Sequence, residues 1–137
     1  MGLEPIEPHL RQAEVLDGAS VVVRGWPLTV EGLLRNADAT RNRFSWRGDP
    51  LVAVSAEMTG AGWDLHQILA GPRLRTRSRY AAAPAMALVT AGFELLPTFG
   101  APHFSVVLGA YDDVSAEHLL DALGEAQRNP YYVGRQP

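Results

Sequence analysis

Two apolar runs near the end of the chain, Phe93–Pro97 and His103–Ala110, are separated only by a short stretch closed by Gly100, Ala101 and Pro102. So tight a connection joins neighbouring antiparallel strands, because a parallel return needs a crossover of a dozen residues or more. The last two strands therefore form a hairpin. That argues for an α+β domain and against a doubly wound parallel sheet.

The segments before the hairpin alternate between strand and helix. Val21-Val22-Val23, closed by Gly25 and Pro27, is a β-branched run and predicts a buried strand over 20–26. Thr29 is an N-cap and Glu31 favours the first turn of a helix running to about Arg43, with Leu33, Leu34, Ala37 and Phe44 on or near one face. Gly48-Asp49-Pro50 turns the chain into a second strand, Leu51–Met58. Asp64 with Gln67 has the spacing of a capping box, and Gly71-Pro72 ends that helix. Pro84 opens a helix to Ala91, with Gly92 as its C-terminal cap. Ser115 caps the last helix, whose stripe is Leu119, Leu120, Leu123 and Ala126. The aromatic tail Asn129-Pro130-Tyr131-Tyr132 packs back on the body. The expected order is β-α-β-α-β-α-β-β-α in one compact domain over 19–137, with a mixed or antiparallel sheet flanked by helices. Residues 1–18, with Pro5, Pro8 and Gly18, read as an arm with one helical turn near Leu10 to Leu16.

Composition removes several kinds of chemistry. The 137 residues are 47% hydrophobic, enough for a core, and 20% charged, too few for a disordered polyelectrolyte. Net charge is −3, so no global basic footprint for nucleic acid exists and any anion-binding surface is local. The absence of cysteine excludes disulfides, thiolate nucleophiles and cysteine-held metals. No apolar run has the length of a membrane span, and the acidic, proline-rich N-terminus differs from a signal peptide; a cytoplasmic location is the expectation. No carboxylate–histidine cluster has metal-ligand spacing, so no metal is expected.

All 12 basic residues are arginine, which excludes lysine chemistry and makes every cation a planar fork suited to phosphate or carboxylate. A GC-rich genome accounts for their number, not for their spacing. Arg73, Arg75, Arg77 and Arg79 fall at every second position. On a strand all four point to one face, where their repulsion must be offset by water, acidic side chains or an anionic ligand. Glu14, Asp17, Glu31 and Glu125 are available as acidic partners.

Four further residues carry candidate chemistry. Arg24 ends the first strand beside Gly25, where backbone can approach a ligand closely. Alternation puts Ser55 on one strand face with Ala53 and Glu57. Glu94 is a lone carboxylate in an apolar strand. His103 is fixed between a tight turn and a buried strand, well placed for general acid–base work.

Arg24, Ser55 and Glu94, in that order, resemble the three marks of the ADP-ribosyltransferase fold. These are an arginine ending the first core strand, a serine on a middle strand and a glutamate before a late hairpin. Phe93-Glu94-Leu95-Leu96-Pro97 with His103-Phe104-Ser105-Val106 is similar to that family's glutamate–leucine–leucine–proline hairpin. The resemblance implies a small enzyme of toxin type that uses NAD. Arg24 would hold its phosphates, Ser55 its nicotinamide ribose, and Glu94 would stabilise an oxocarbenium-like transition state. The chain departs from the family at Ala56-Glu57, where threonine–serine normally follow the serine, and at Gly92, where glutamine or glutamate is usual. Two other readings rest on the arginines. In one they bind RNA phosphates, as in a small ribonuclease with His103 as acid or base and Tyr80 nearby. In the other they dock an acidic partner protein without catalysis.

Overall fold

The computed structural model describes residues 2–6, 20–60 and 62–134. In chain order the elements are β1 (Glu4–Pro5), β2 (Val21–Gly25), α1 (Val30–Arg41), β3 (Phe44–Trp46), β4 (Asp49–Pro50), β5 (Ala53–Met58), α2 (Leu65–Ala70), β6 (Arg79–Pro84), α3 (Ala85–Thr90), β7 (Glu94–Pro97), β8 (His103–Val107), α4 (Asp113–Leu123) and β9 (Gln127–Arg128). A six-stranded sheet runs β7-β8-β5-β2-β6-β9, antiparallel throughout, and a small mixed sheet runs β1-β3-β4. The fold is α+β, with the expected hairpin as β7 and β8. No described helix is long and apolar enough to cross a membrane.

The helix starts follow from their caps. Thr29 accepts from the Gly32 backbone at 3.0 Å, and Asp64 and Gln67 form the reciprocal capping box. The last helix begins earlier than Ser115. Asp112 is its cap, accepting from the Ser115 backbone at 2.8 Å, while the Ser115 hydroxyl accepts from the Ala110 backbone. A carboxylate at this end also meets the positive pole of the helix.

The arginine segment is not a strand. Only Arg79 lies in one, at the start of β6. Residues 71–77 close into turns instead, with the Arg75 backbone donating to Gly71 at 2.9 Å and that of Arg77 to Leu74 at 2.9 Å. Gly71-Pro72 starts the turn, and Leu74 is drawn into a core with Val23, Ile68, Leu69 and Tyr80. The loop's carbonyls are satisfied by Asn129 rather than by a neighbouring strand. Its buried Nδ2 donates to Leu69, Leu74 and Arg77 at 3.1, 2.9 and 3.3 Å. The C-terminal tail thus packs back as expected, through Asn129 and through Tyr131, whose hydroxyl lies 2.8 Å from His66 Nδ1.

The register divides the sheet into two faces. Val22, Val54, Ala56, Met58, Ala83, Leu95, Phe104 and Val106 lie on one and meet α1, α3 and α4 in the main core. The opposite face has two smaller apolar covers. Ile6, Phe44 and Leu51 pack on Ala53 and Leu96 at one end, and α2 with Leu74 packs on Val23 and Tyr80 at the other. Ile6 docks the start of the arm. The helical turn expected near residues 10–16 lies outside the described residues, as do Glu14 and Asp17.

Candidate functional site

β2 and β5 pair only at Val22↔Met58 and Val23↔Glu57, and then separate. Side chains replace the lost pairing. Asn36 on α1 accepts from the Ser55 backbone N–H at 2.9 Å, and Arg24 Nη1 donates to the Ser55 carbonyl at 2.6 Å and to Asn36 Oδ1 at 2.9 Å. Arg24 and Ser55, far apart in sequence, therefore meet at the split. Arg24 is 8% exposed, and among the described residues its Nε has no partner and no carboxylate pairs with it. Burial, and next the charge of Arg77, pull its pKa down to about 10. A buried guanidinium held by neutral oxygens and faced by a second cation carries uncompensated positive charge.

A cleft of about 740 Å³ opens at this split. Its walls are Trp26 with α1 on one side and the loop from Pro72 to Arg77 on the other. The turn geometry sorts the arginines. Arg73 and Arg77, four residues apart, line the cleft, while Arg75 lines a separate depression with Tyr132 and Val133. Arg79 lies opposite Arg128 on the sheet edge. None of these five has an ion pair among the described residues; Glu31 pairs with Arg35 instead. Gly25 permits the loop's approach. A Cβ there would lie 2.8 Å from Arg77 Cγ and 2.9 Å from Leu74 Cδ1.

Glu57 lies at the base of the cleft, on the same strand face as Ser55. It is 5% exposed, and its Oε2 has no partner among the described residues. Burial raises its pKa to about 7 against the opposing pull of Arg73. Directly across the strand pair stands His103. Its Nδ1 lies 3.0 Å from Thr98 Oγ1 and 3.1 Å from the Thr98 carbonyl, and Thr98 Oγ1 lies 2.9 Å from Ser105 Oγ. A carbonyl oxygen only accepts, so the bond to it puts the ring proton on Nδ1. Burial first, then Arg73, lower the pKa of His103 to about 4, leaving the ring neutral.

Glu94 does not join this group. It starts β7, and β8 intervenes between β7 and the strand of Ser55, a separation of ~10 Å across the sheet. It accepts from Arg47 at 2.9 Å and from the Trp46 indole at 3.4 Å. That occupies Trp46 and Arg47, whose guanidinium also lies 4.9 Å from the Trp46 ring centre. Tyr80 is buried with its hydroxyl on Gln127. His66 bonds Tyr131, and His118 bonds the Ala91 carbonyl. Among the described residues no three histidine or acidic side chains form a metal-binding group.

Of the residues singled out in the sequence, the structure thus brings Arg24, Ser55, Arg73 and Arg77 to one cleft, with His103 one strand away. Glu57, Asn36 and Asn129 carry weaker signals. Glu57 is two residues from Ser55 in an otherwise apolar run, which is enough to place it on the same face. Nothing local distinguishes Asn36 or Asn129 from surface asparagines. Comparison with protein-family models, curated proteins and solved structures finds no match.

Proposed function

We propose that the cleft binds a nucleotide through its phosphates, NAD in the first place, and that the chain is a small ADP-ribosyltransferase-like enzyme of toxin type. The observation that carries the reading is Arg24: a buried cation with no carboxylate partner among the described residues, in a cleft also lined by Arg73 and Arg77. A diphosphate supplies the missing charge and matches guanidinium geometry. Trp26, exposed at the rim, offers a flat surface to a base. The carboxylate that faces positive charge developing on the ribose is Glu57, in place of Glu94. Glu57 acts in its ionised form, so kcat/KM rises with pH through about 7, and Arg73→Ala moves the midpoint upward because Arg73 holds the carboxyl down.

Calorimetry with NAD, ADP-ribose and AMP, together with assays of nicotinamide release, tests this. Binding that weakens in Arg73→Ala plus Arg77→Ala, and turnover lost in Glu57→Gln but kept in Glu94→Gln, is the expected result. Absence of NAD binding by the folded wild type sinks the reading.

A second reading rests on Arg75, Arg79 and Arg128, which carry no described ion pair and lie outside the cleft. Here the phosphates are those of single-stranded RNA. Affinity then falls steeply with salt, and Arg75→Ala plus Arg79→Ala lowers the salt slope by about two phosphate contacts. Binding to an acidic polypeptide but not to RNA favours a protein partner instead.

A further inference from the structure

Glu57 borders a second space. Beyond Arg73, a cavity of about 230 Å³ is walled by Trp63, Ile68, Leu74 and the turn from Phe99 to Pro102. It shares Glu57 and Arg73 with the arginine cleft, but its other side chains are almost all apolar. Phe99 is half-exposed and has φ 58, a conformation that bulky residues rarely adopt. Such backbone persists only where the surroundings impose it, and it gathers at ligand sites. The strained backbone seats the Phe99 ring 5.2 Å from those of Phe44 and His103, beside an apolar cavity that Glu57 also lines, and Glu57 Oε2 is buried and has no partner among the described residues.

We propose that this cavity binds one uncharged planar ring, of the size of phenol or indole, whose polar substituent reaches Glu57. The volume lies below the range of roughly 300–1,000 Å³ that takes drug-sized ligands, so one ring system fills it. Walls of tryptophan, isoleucine, leucine and phenylalanine solvate no charge but contact a ring face or edge well. A hydroxyl or ring N–H gives Oε2 the partner it lacks, and the neutral carboxyl can donate in return. The same chemistry is presented by a free aromatic molecule and by a tyrosine or tryptophan side chain of a partner.

The assignment needs no nucleotide in the cleft, so it stands or falls apart from the NAD reading. Ligand-observed NMR on the full chain, without nucleotide, uses phenol, indole and benzene, and short peptides carrying a central tyrosine, tryptophan or alanine. Phenol and indole are expected to bind at millimolar concentration, compete with each other and exceed benzene at least tenfold. Tyrosine and tryptophan peptides that bind more tightly than the free rings identify a protein partner as the source; weaker binding identifies a small molecule. Ala101→Trp, which fills the mouth from the exposed turn, abolishes ring binding while leaving NAD calorimetry unchanged. Phe99→Ala gives an independent loss by removing a wall. No binding of phenol or indole, or binding unaffected by both variants, overturns the proposal.

Discussion

On one face of the six-stranded sheet the side chains between Leu95 and Ala83 are apolar without interruption, up to Arg24 at the strand end, and three helices cover them. On the other, two small apolar patches leave a strip in which Ser55, Glu57, His103 and Ser105 lie side by side, mostly buried. The two faces share the same strands and backbone hydrogen bonds. They differ in what burial has to satisfy. The first face is stabilised by removal of apolar area from water. The second buries groups that lose hydration and, at Glu57 Oε2, gain no partner from the described chain. Stability therefore resides mainly on the first face, and the unsatisfied groups lie on the second and, at Arg24 Nε, where the apolar run of the first face ends.

The largest effect should come from the first face. Leu119 is fully buried between α4 and the sheet, and Leu119→Ala is expected to cost about 2–5 kcal/mol in denaturant unfolding. Ligand affinity of the molecules that remain folded should not change. If it falls tenfold, the two faces are not independent. Asn129→Ala tests the other side. It strips the carbonyls of Leu69, Leu74 and Arg77 of a shared donor, a cost of about 1–3 kcal/mol. Because the loop carrying Arg73 and Arg77 is tied down by those bonds, anion affinity in the cleft should fall with stability. A loss of stability alone would make Asn129 purely structural.

That contrast also explains how far the sequence was legible. The helix-covered face is written in local patterns: Val21-Val22-Val23, the stripe through Leu119 and Leu123, and the hairpin turn all specify their own structure. The caps at Thr29 and Asp64 do the same, because a cap bonds within its own turn. The arginine loop is different. Strict alternation over Arg73, Arg75, Arg77 and Arg79 is a strand pattern, but turn formation at Gly71-Pro72 and the carbonyl partner supplied by Asn129, some 50 residues later, override it. The candidate site divides similarly. Arg24 and Ser55 end up together because their strands are neighbours. Glu94 is excluded because β8 takes the place beside β5, a choice of strand order that no local pattern encodes.

The polar strip makes a pH prediction of its own. Folding raises the Glu57 carboxyl from its ordinary 4.5 to about 7, so its contribution is present below pH 4.5 and is lost as pH rises through 7. Folding lowers His103 from 6.5 to about 4, so its contribution is present above pH 6.5 and is lost as pH falls through 4. Between about 4.5 and 6.5 the folded protein holds one proton on Glu57 and none on His103, and the unfolded chain the reverse. The two slopes oppose each other, and wild-type stability should vary little from this pair across that window. Each single variant unmasks its partner. Glu57→Gln should make stability rise with pH, and His103→Gln should make it fall. Urea titrations at several pH values read both signs, and parallel curves for the two variants would refute the assignment.

The smallest effect belongs to Glu94, and it separates the two carboxylates most directly. Glu94 and Arg47 form an ion pair whose side chains are 31% and 69% exposed, in reach of solvent and salt. Pairs of that kind contribute about 0–1 kcal/mol. Glu94→Gln keeps one acceptor oxygen, for Arg47 or for the Trp46 indole, at a solvent-reachable site, so unfolding midpoints should still move by no more than that. NAD affinity and turnover should hold. Glu57→Gln removes the only carboxylate that lines the cleft among the described residues, so turnover should collapse even where stability above pH 7 improves. An opposite ranking, with activity lost in Glu94→Gln and retained in Glu57→Gln, would move the reacting centre to the sheet edge and leave the arginine cleft as a binding surface only.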